Sequence, residues 1–312
     1  MPRLAVTGLE TTKTFALRDY DLAATLTSGQ VFRWQAHPQG WVGVIGTHWV
    51  RLRQDSATLT AETAEPVSDW DWLIHYLQAE VDWSRVVQTF PDDEPMRAAV
   101  AACRGLRLLR QDPWECLASF ILSSTKQIVQ IRQIVARLCQ RYGEPLAVAP
   151  AWAPAFAFPC PARLADATEA DLRACQMGFR APYLLATARL VANGQFDLAR
   201  VPSLPLAAAR AELMQLPGVG HKIADCVLLF AYGFQSAFPV DVWVIKALRQ
   251  LYFPHRRVSP QRLHRFAATH FGPCAGYAQQ YLFHYMRTKT KSARYSLPGQ
   301  AHERGHSCPP GG

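Results

Sequence analysis

Short runs rich in Val, Thr, Phe and Trp come first along the chain: GQVFRWQ, GWVGVIG, HWVRLRQ and ATLTAET. Turn signals such as His37-Pro38-Gln39-Gly40 separate them, and the pattern predicts an antiparallel meander. From about Pro66 the apolar spacing changes to the helical period. SDWDWLIHYLQ offers Ser68 as an N-cap, and Asp112-Pro113 opens a longer helix with proline at its first position. That segment, DPWECLASFILSSTKQIVQIRQIVARLCQRYG, reads as one helix or as two broken near Ser123-Ser124. Residues 145–165, dense in Pro and Ala, read as a connecting loop. Helical spacing returns in EADLRACQM, APYLLATARLVANG, LAAARAELMQL, HKIADCVLLFA, VWVIKALRQLYF and GYAQQYLFHYMRT. No solenoid repeat is present. The expected fold is α+β: an N-terminal antiparallel sheet domain with flanking helices over 1–110, then an all-helical body over 111–290. The aperiodic, Pro- and Gly-rich tail at 291–312 is expected to be disordered.

One helical segment begins unusually. In LPGVGHKIADCVLLFAYG, Pro217, Gly218 and Gly220 spell a tight turn, and helical spacing starts directly afterwards. The first backbone N–H groups of such a helix are unpaired and attract anions, a DNA phosphate among them. Lys222 sits in that first turn. Alone, this is an ordinary turn followed by a surface lysine. Phe238-Pro239-Val240-Asp241 changes the picture, because Asp241 caps the next helix and the short link from Ala231 makes the two helices neighbours. A carboxylate facing a first-turn lysine holds a proton or stabilises a cation developing on a substrate. The amine becomes a nucleophile where desolvation or the positive helix end lowers its pKa. TSGQVFRWQ, from Thr27 to Gln35, reads in isolation as a strand with an entry glycine, and no spacing rule links it to Lys222.

Charge favours a polyanionic partner: 33 basic against 24 acidic residues give +9 over 312 residues. At 49% hydrophobic and 18% charged, the composition is that of a folded globular protein. The N-terminus lacks a signal-peptide core, and the longest apolar run, Cys226 to Phe234, is shorter than the ~20 residues that span a bilayer. A soluble, intracellular protein is expected, with no membrane partner. The 8 cysteines are scattered without CxxC pairs, against a tetrahedral zinc site or a four-cysteine cluster.

Taken together, the motifs resemble the 8-oxoguanine DNA glycosylase/AP lyases of the helix-hairpin-helix glycosylase superfamily. The resemblance runs from about Thr25 to Arg287. It is carried by SGQVFRW at 28–34, LLRQDPWECLASFILSS at 108–124, MGFRAPYLLATAR at 177–189, LPGVGHKIADCVLLFA at 216–231 and PVDVWV at 239–244. The iron–sulfur members carry four clustered cysteines after this region, where this chain has only Cys274 and Cys308. The resemblance implies that Lys222 attacks the anomeric carbon and that Asp241 stabilises charge on the sugar and positions the amine. It implies that the Gly29 carbonyl reads the N7–H that 8-oxoguanine has and guanine lacks. Guanine would leave that buried carbonyl facing a lone pair, at about 1–3 kcal/mol. Cys226 and Phe283 would sandwich the extruded base, and Gln279 would read its Watson–Crick edge. Extrusion is required because a base cannot be processed inside the stack. Phe179 would fill the gap, Arg180 would hold the orphaned cytosine, and Gly218 and Gly220 would bring the hairpin to the backbone.

In the hairpin, the carbonyls of Met214, Leu216 and Val219 would hold a monovalent or calcium ion facing a phosphate. Neither a catalytic metal nor a cofactor is implied. The implied partner is duplex DNA containing 8-oxoguanine, bound by a monomer. Location follows source: cytoplasmic and nucleoid-associated in a bacterium, nuclear in a eukaryote, with the lack of a basic targeting run favouring a bacterium. Three positions depart from the family pattern. Thr125 stands where an asparagine fills the space of the flipped base, Trp243 where a histidine contacts a phosphate, and Gln130 where an arginine holds the partner cytosine. Looser discrimination of the opposite base is expected. Two other readings fit parts of the pattern. An alkyl-purine glycosylase would lack the hairpin lysine, and a non-enzymatic helix-hairpin-helix module would leave Asp241, Gly29 and Gln279 without a role.

Overall fold

The computed structural model describes residues 9–124 and 126–295. Five antiparallel strands form the N-terminal sheet: β1 (Glu10–Ala16), β2 (Gln35–His37), β3 (Gly40–Ile45), β4 (His48–Asp55) and β5 (Thr58–Val67), in the order β1-β5-β4-β3-β2. Helix α1 (Leu22–Thr27) lies between β1 and β2, capped by Asp21. The inner face buries Val50, Leu52, Leu59 and Ala61 against Leu22 and Leu26 of α1 and Leu73 and Leu77 of α2 (Asp71–Leu77). Strand β5 alternates buried and partly exposed positions along most of its length, the period of a half-covered sheet.

Two expectations fail here. GQVFRWQ is not a strand: only its last residue, Gln35, enters β2. Its side chains serve two cores, Val31 and Trp34 packing under the sheet and Phe32 in the helical body, so no single alternating face exists. Ser68 does not cap α2, which starts at Asp71; the Asp69 carboxylate takes the Asp71 amide at 3.2 Å. The first strand, β1, carried no periodic signal because it is an edge strand exposed along nearly its whole length.

The helical body begins before residue 110. Helices α3 (Trp83–Val87) and α4 (Glu94–Ala102) bury Val86, Met96 and Ala99 in the same core as the rest of the body. Asp112 caps α5 (Pro113–Leu122), taking the Glu115 amide at 2.8 Å with Pro113 at the first position. The chain breaks at Ser123-Ser124, and α6 (Ile128–Tyr142) follows. The 145–165 loop contains a small ribbon, β6 (Pro145–Leu146) with β7 (Ala155–Phe156), before α7 (Pro161–Ala165). Next come α8 (Glu169–Ala174), a 3-10 turn at Gly178–Arg180, α9 (Ala181–Ala192) and α10 (Leu206–Leu213). The turn 214–220 leads into α11 (His221–Val227), which widens into a π-helical turn at Leu228–Tyr232. Helices α12 (Val242–Leu251), α13 (Pro260–His270) and α14 (Ala275–Tyr295) complete the body. The last helix continues to Tyr295, past the start of the tail expected at 291, and the remainder of that tail lies outside the described residues. No helix among the described residues is long and apolar enough to cross a membrane.

Sheet and body are joined by the segment 28–33. Gln30 is fully buried; its amide donates to the carbonyls of Thr25 and Arg107 at 3.1 and 2.8 Å, and its oxygen takes the Leu109 amide at 2.8 Å. The Gln111 side chain donates to the Gln30 carbonyl at 2.9 Å, and Arg33 pairs with Glu115 at 3.1 Å. Replacing Gln30 by Leu keeps the volume but strands buried backbone groups, at about 3 kcal/mol in total. The melting temperature is expected to fall by about 8 °C; thermal denaturation followed by circular dichroism checks this.

Candidate active site

The hairpin turn closes through the Val219 amide on the Leu216 carbonyl at 3.1 Å. Gly218 has φ +78°, and a Cβ there would stand 2.9 Å from Tyr183 Cβ and Cγ, so the turn needs glycine and seats Tyr183. Gly220 precedes α11 with ordinary backbone angles and open space where a Cβ would point. Ile223, Ala224 and Val227 are buried, which leaves half-buried Lys222 and, one turn on, Cys226 to share a face. Lys222 Nζ donates to Ser123 Oγ at 3.2 Å and lies 4.9 Å from the centre of the Phe120 ring. Ser123 is the C-cap residue of α5.

Asp241 caps α12, taking the amides of Trp243 and Val244 at 2.9 and 2.8 Å. Burial pushes its carboxyl above the usual carboxylate range; the Val244 amide and the nearby Lys222 and Arg287 charges pull the other way. The Lys222 charge thus reaches Asp241, and no ion pair between the two forms among the described residues. Burial also pushes the Cys226 thiol up to about 12, with the Lys222 charge opposing, so it is a neutral thiol at physiological pH.

Gly29 and α14 form a second wall, linked to this pair through Arg287, whose charge reaches Asp241. Gly29 has φ +87°, and a Cβ on it would stand 2.8 Å from Ile128 Cδ1, 3.2 Å from Arg287 Nη1 and 3.3 Å from Phe283 Cε1. Any side chain there would fill the space beside Phe283. Gln280 donates to the Ser28 carbonyl at 3.1 Å, which fixes α14 against this loop. Gln279, one turn before Phe283, is buried with its Oε1 lacking a partner among the described residues. An orphaned acceptor of that kind suits a polar ligand edge. Cys226 lies on the Lys222 side of the site and Phe283 on the Gly29 side.

The predicted DNA-facing residues divide. Phe179 is 54% exposed on the 3-10 turn, edge-on to Tyr183 at 6.5 Å, and Tyr183 is itself exposed. This pair of apolar rings beside the hairpin was only half visible in the sequence, since Tyr183 reads as a residue of an amphipathic helix. Arg180 is only 2% exposed: its guanidinium lies 4.2 Å from the Phe179 ring and donates to the Met177 carbonyl at 3.2 Å. Thr125 lies outside the described residues. Trp243 is half-buried in the first turn of α12, with Lys246 Nζ 5.3 Å from its ring. Gln130 Oε1 accepts the Gln127 amide at 3.0 Å and so caps α6, a bond that engages its oxygen and not its Nε2 donor. In the hairpin, a carbonyl that accepts one amide keeps a second lone pair, so Met214, Leu216 and Val219 still suit the ion the resemblance implies. Among the described residues no cluster of His, Cys, Asp or Glu could hold a metal.

A β-sheet domain packed on a helical body with a lysine-bearing hairpin defines the class of HhH-GPD base excision DNA repair proteins. Residues 118–271 match the model of that superfamily, and residues 14–117 match the 8-oxoguanine DNA glycosylase N-terminal domain. The chain belongs to the 8-oxoguanine DNA glycosylase/AP lyase family. N-glycosylase/DNA lyase OGG1 of Arabidopsis thaliana is 32% identical over 84% of this chain and 76% of its own length. The 8-oxoguanine glycosylase/lyase of Clostridium acetobutylicum, solved with double-stranded DNA containing cytosine opposite 8-oxoG, superposes with a TM-score of 0.83 at 30% identity. That match covers 90% of this chain and 99% of the other. MBOgg1, solved with a low affinity DNA ligand, gives 0.85 at 31% identity over 90% of this chain and 97% of its own.

Asparagine caps a helix as well as aspartate does. Asp241→Asn is therefore expected to leave the melting temperature nearly unchanged while slowing base release by about 100-fold, through loss of the carboxylate charge. The pH dependence follows from the raised carboxyl: ionised Asp241 is lost as pH falls through its folded-state value. The acid limb of the wild-type rate profile lies above 3.8, the ordinary value, and disappears in Asp241→Asn. Single-turnover rates across pH check both statements.

Proposed function

We propose that the protein is a bifunctional DNA glycosylase/AP lyase that removes 8-oxoguanine from duplex DNA as a monomer and then nicks the strand. The reading is supported by three parts: an amine at a helix start, a half-buried carboxylate whose charge interacts with it, and an unsubstituted Gly29 packed against Phe283 and Arg287, the latter also interacting with that carboxylate. Lys222 Nζ attacks C1′ of the extruded nucleotide as the C1′–N9 bond breaks. The charge of Asp241 offsets the positive charge that develops on the sugar, and the carboxylate takes up a proton from the attacking amine. Opening of the sugar ring gives a Schiff base, and loss of a C2′ proton expels the 3′-phosphate by β-elimination. The Gly29 carbonyl accepts from N7–H of the base, and the orphaned Gln279 Oε1 meets a donor on the Watson–Crick edge. An ion held by the carbonyls of Met214, Leu216 and Val219 would neutralise a backbone phosphate, and no chemical step passes through it.

The hairpin lysine argues against an alkyl-purine glycosylase, and a plain DNA-binding module needs neither the half-buried carboxylate with its raised pKa nor the orphaned glutamine. Borohydride reduction on 8-oxoguanine duplex is expected to trap a covalent protein–DNA adduct with the wild-type chain and none with Lys222→Gln. A wild-type chain that binds the duplex without being trapped rejects the reading.

Gln130 stands where an arginine would hold the partner cytosine; its Oε1 accepts the Gln127 amide, and its neutral Nε2 carries neither the charge nor the paired donors of a guanidinium. Cleavage of the lesion opposite C, A, G and T is expected to vary within about tenfold, under 1.4 kcal/mol of discrimination. A profile confined to cytosine overturns this.

A further inference from the structure

Arg287 stands at the same wall with no part in the steps above. Gln279, Phe283 and Arg287 are spaced four apart on α14, so one face of that helix carries all three. The Arg287 guanidinium carbon is 5.2 Å from the centre of the Phe283 ring, and its Nη1 would lie 3.2 Å from a Cβ on Gly29. Nη1 is buried with no acceptor among the described residues, and no carboxylate among them lies within ion-pair distance. Its charged neighbours are Asp241, which attracts it, and Arg132 on α6, which repels it. Arg132 Nε is likewise buried without an acceptor. Two half-buried guanidiniums, each with a buried N–H that lacks an acceptor among the described residues, favour the arrival of a negative charge.

Building on the proposed removal of 8-oxoguanine, we infer that Arg287 is a catalytic residue that stabilises the negative charge of the departing base. When C1′–N9 breaks, the bonding pair stays on the purine and spreads from N9 onto O8 and, through the ring system, onto O6. These oxygens flank N7 on its two sides. A cation beside Gly29, the residue that reads N7–H, is therefore beside one of them. Lys222 nitrogen forms the new bond to C1′, and a proton from that nitrogen, relayed by Asp241, ends on the base, which departs as neutral 8-oxoguanine. Arg287 remains protonated throughout and supplies charge and hydrogen bonds only, placed before the charge appears.

The test compares two single-turnover rates in each variant: release of 8-oxoguanine, and strand cleavage at a preformed abasic site, where no base departs. In Arg287→Met, base release is expected to fall about 100-fold relative to abasic-site cleavage, and Arg287→Lys recovers part of the difference. Across 8-oxopurines of graded N9 acidity, the log rate depends more steeply on leaving-group acidity in Arg287→Met than in wild type. Parallel loss of both rates, or an unchanged slope, assigns Arg287 to the scaffold and overturns its catalytic role alone. A wild-type chain that cleaves abasic sites and releases no 8-oxoguanine overturns this inference together with the substrate reading.

Discussion

Gly29 keeps its position because the residues on both sides of it are tied to the helical body. Gln280 takes hold of the Ser28 carbonyl, and the buried amide of Gln30 bonds backbone on both sides of the domain junction. The peptide between them is thereby fixed without a bond that would occupy its own carbonyl. Sheet domain and helical body could pack in other ways on hydrophobic grounds alone, since apolar burial has no direction. The hydrogen bonds of these two glutamines select the arrangement in which Gly29 is held against Phe283 and Arg287 of α14. A buried polar network that is satisfied throughout specifies one geometry, where apolar contact would tolerate several.

Across from that wall the electrostatics are arranged against solvation. Asp241 is half-buried, and its Oδ1 takes both capping amides of α12. One side chain thus ends a loop, starts a helix and supplies charge. Lys222 is steered by Ser123 and the Phe120 face, both delivered by the end of α5. Arginines at 132 and 287 add positive charge from the far side with no fixed counter-ion among the described residues.

Much of this was legible in the chain, and the rest was hidden for definable reasons. Asp112-Pro113 announced α5 because cap and first-turn chemistry are local. The short link between their helices suggested pairing Lys222 with Asp241, and the charge interaction between the two accords with it. GQVFRWQ misled because its apolar residues feed two cores, which no single-period pattern describes. Its partnership with RQDPWE, through Gln30, Gln111 and the Arg33–Glu115 pair, depends on bonds between segments some eighty residues apart. That pairing is why the two motifs occur together. Arg287 escaped notice since an arginine at the end of an amphipathic helix reads as solvated, and only Gly29 and Phe283 show what surrounds it. Arg180, expected beside Phe179 on the surface, is instead folded beneath it.

The wide turn at Leu228–Tyr232 has a use beyond ending α11. A π turn spreads the spiral by one residue and releases a carbonyl from the usual ladder. Here the Phe230 carbonyl is taken by the amide of Gln111, at 2.9 Å, immediately before the cap of α5. The helix that carries Lys222 is thus stitched by its own irregularity to the helix that carries Ser123. Shortening this loop of backbone by one residue would give a more regular spiral, and the amine and its hydroxyl guide would lose their shared reference frame.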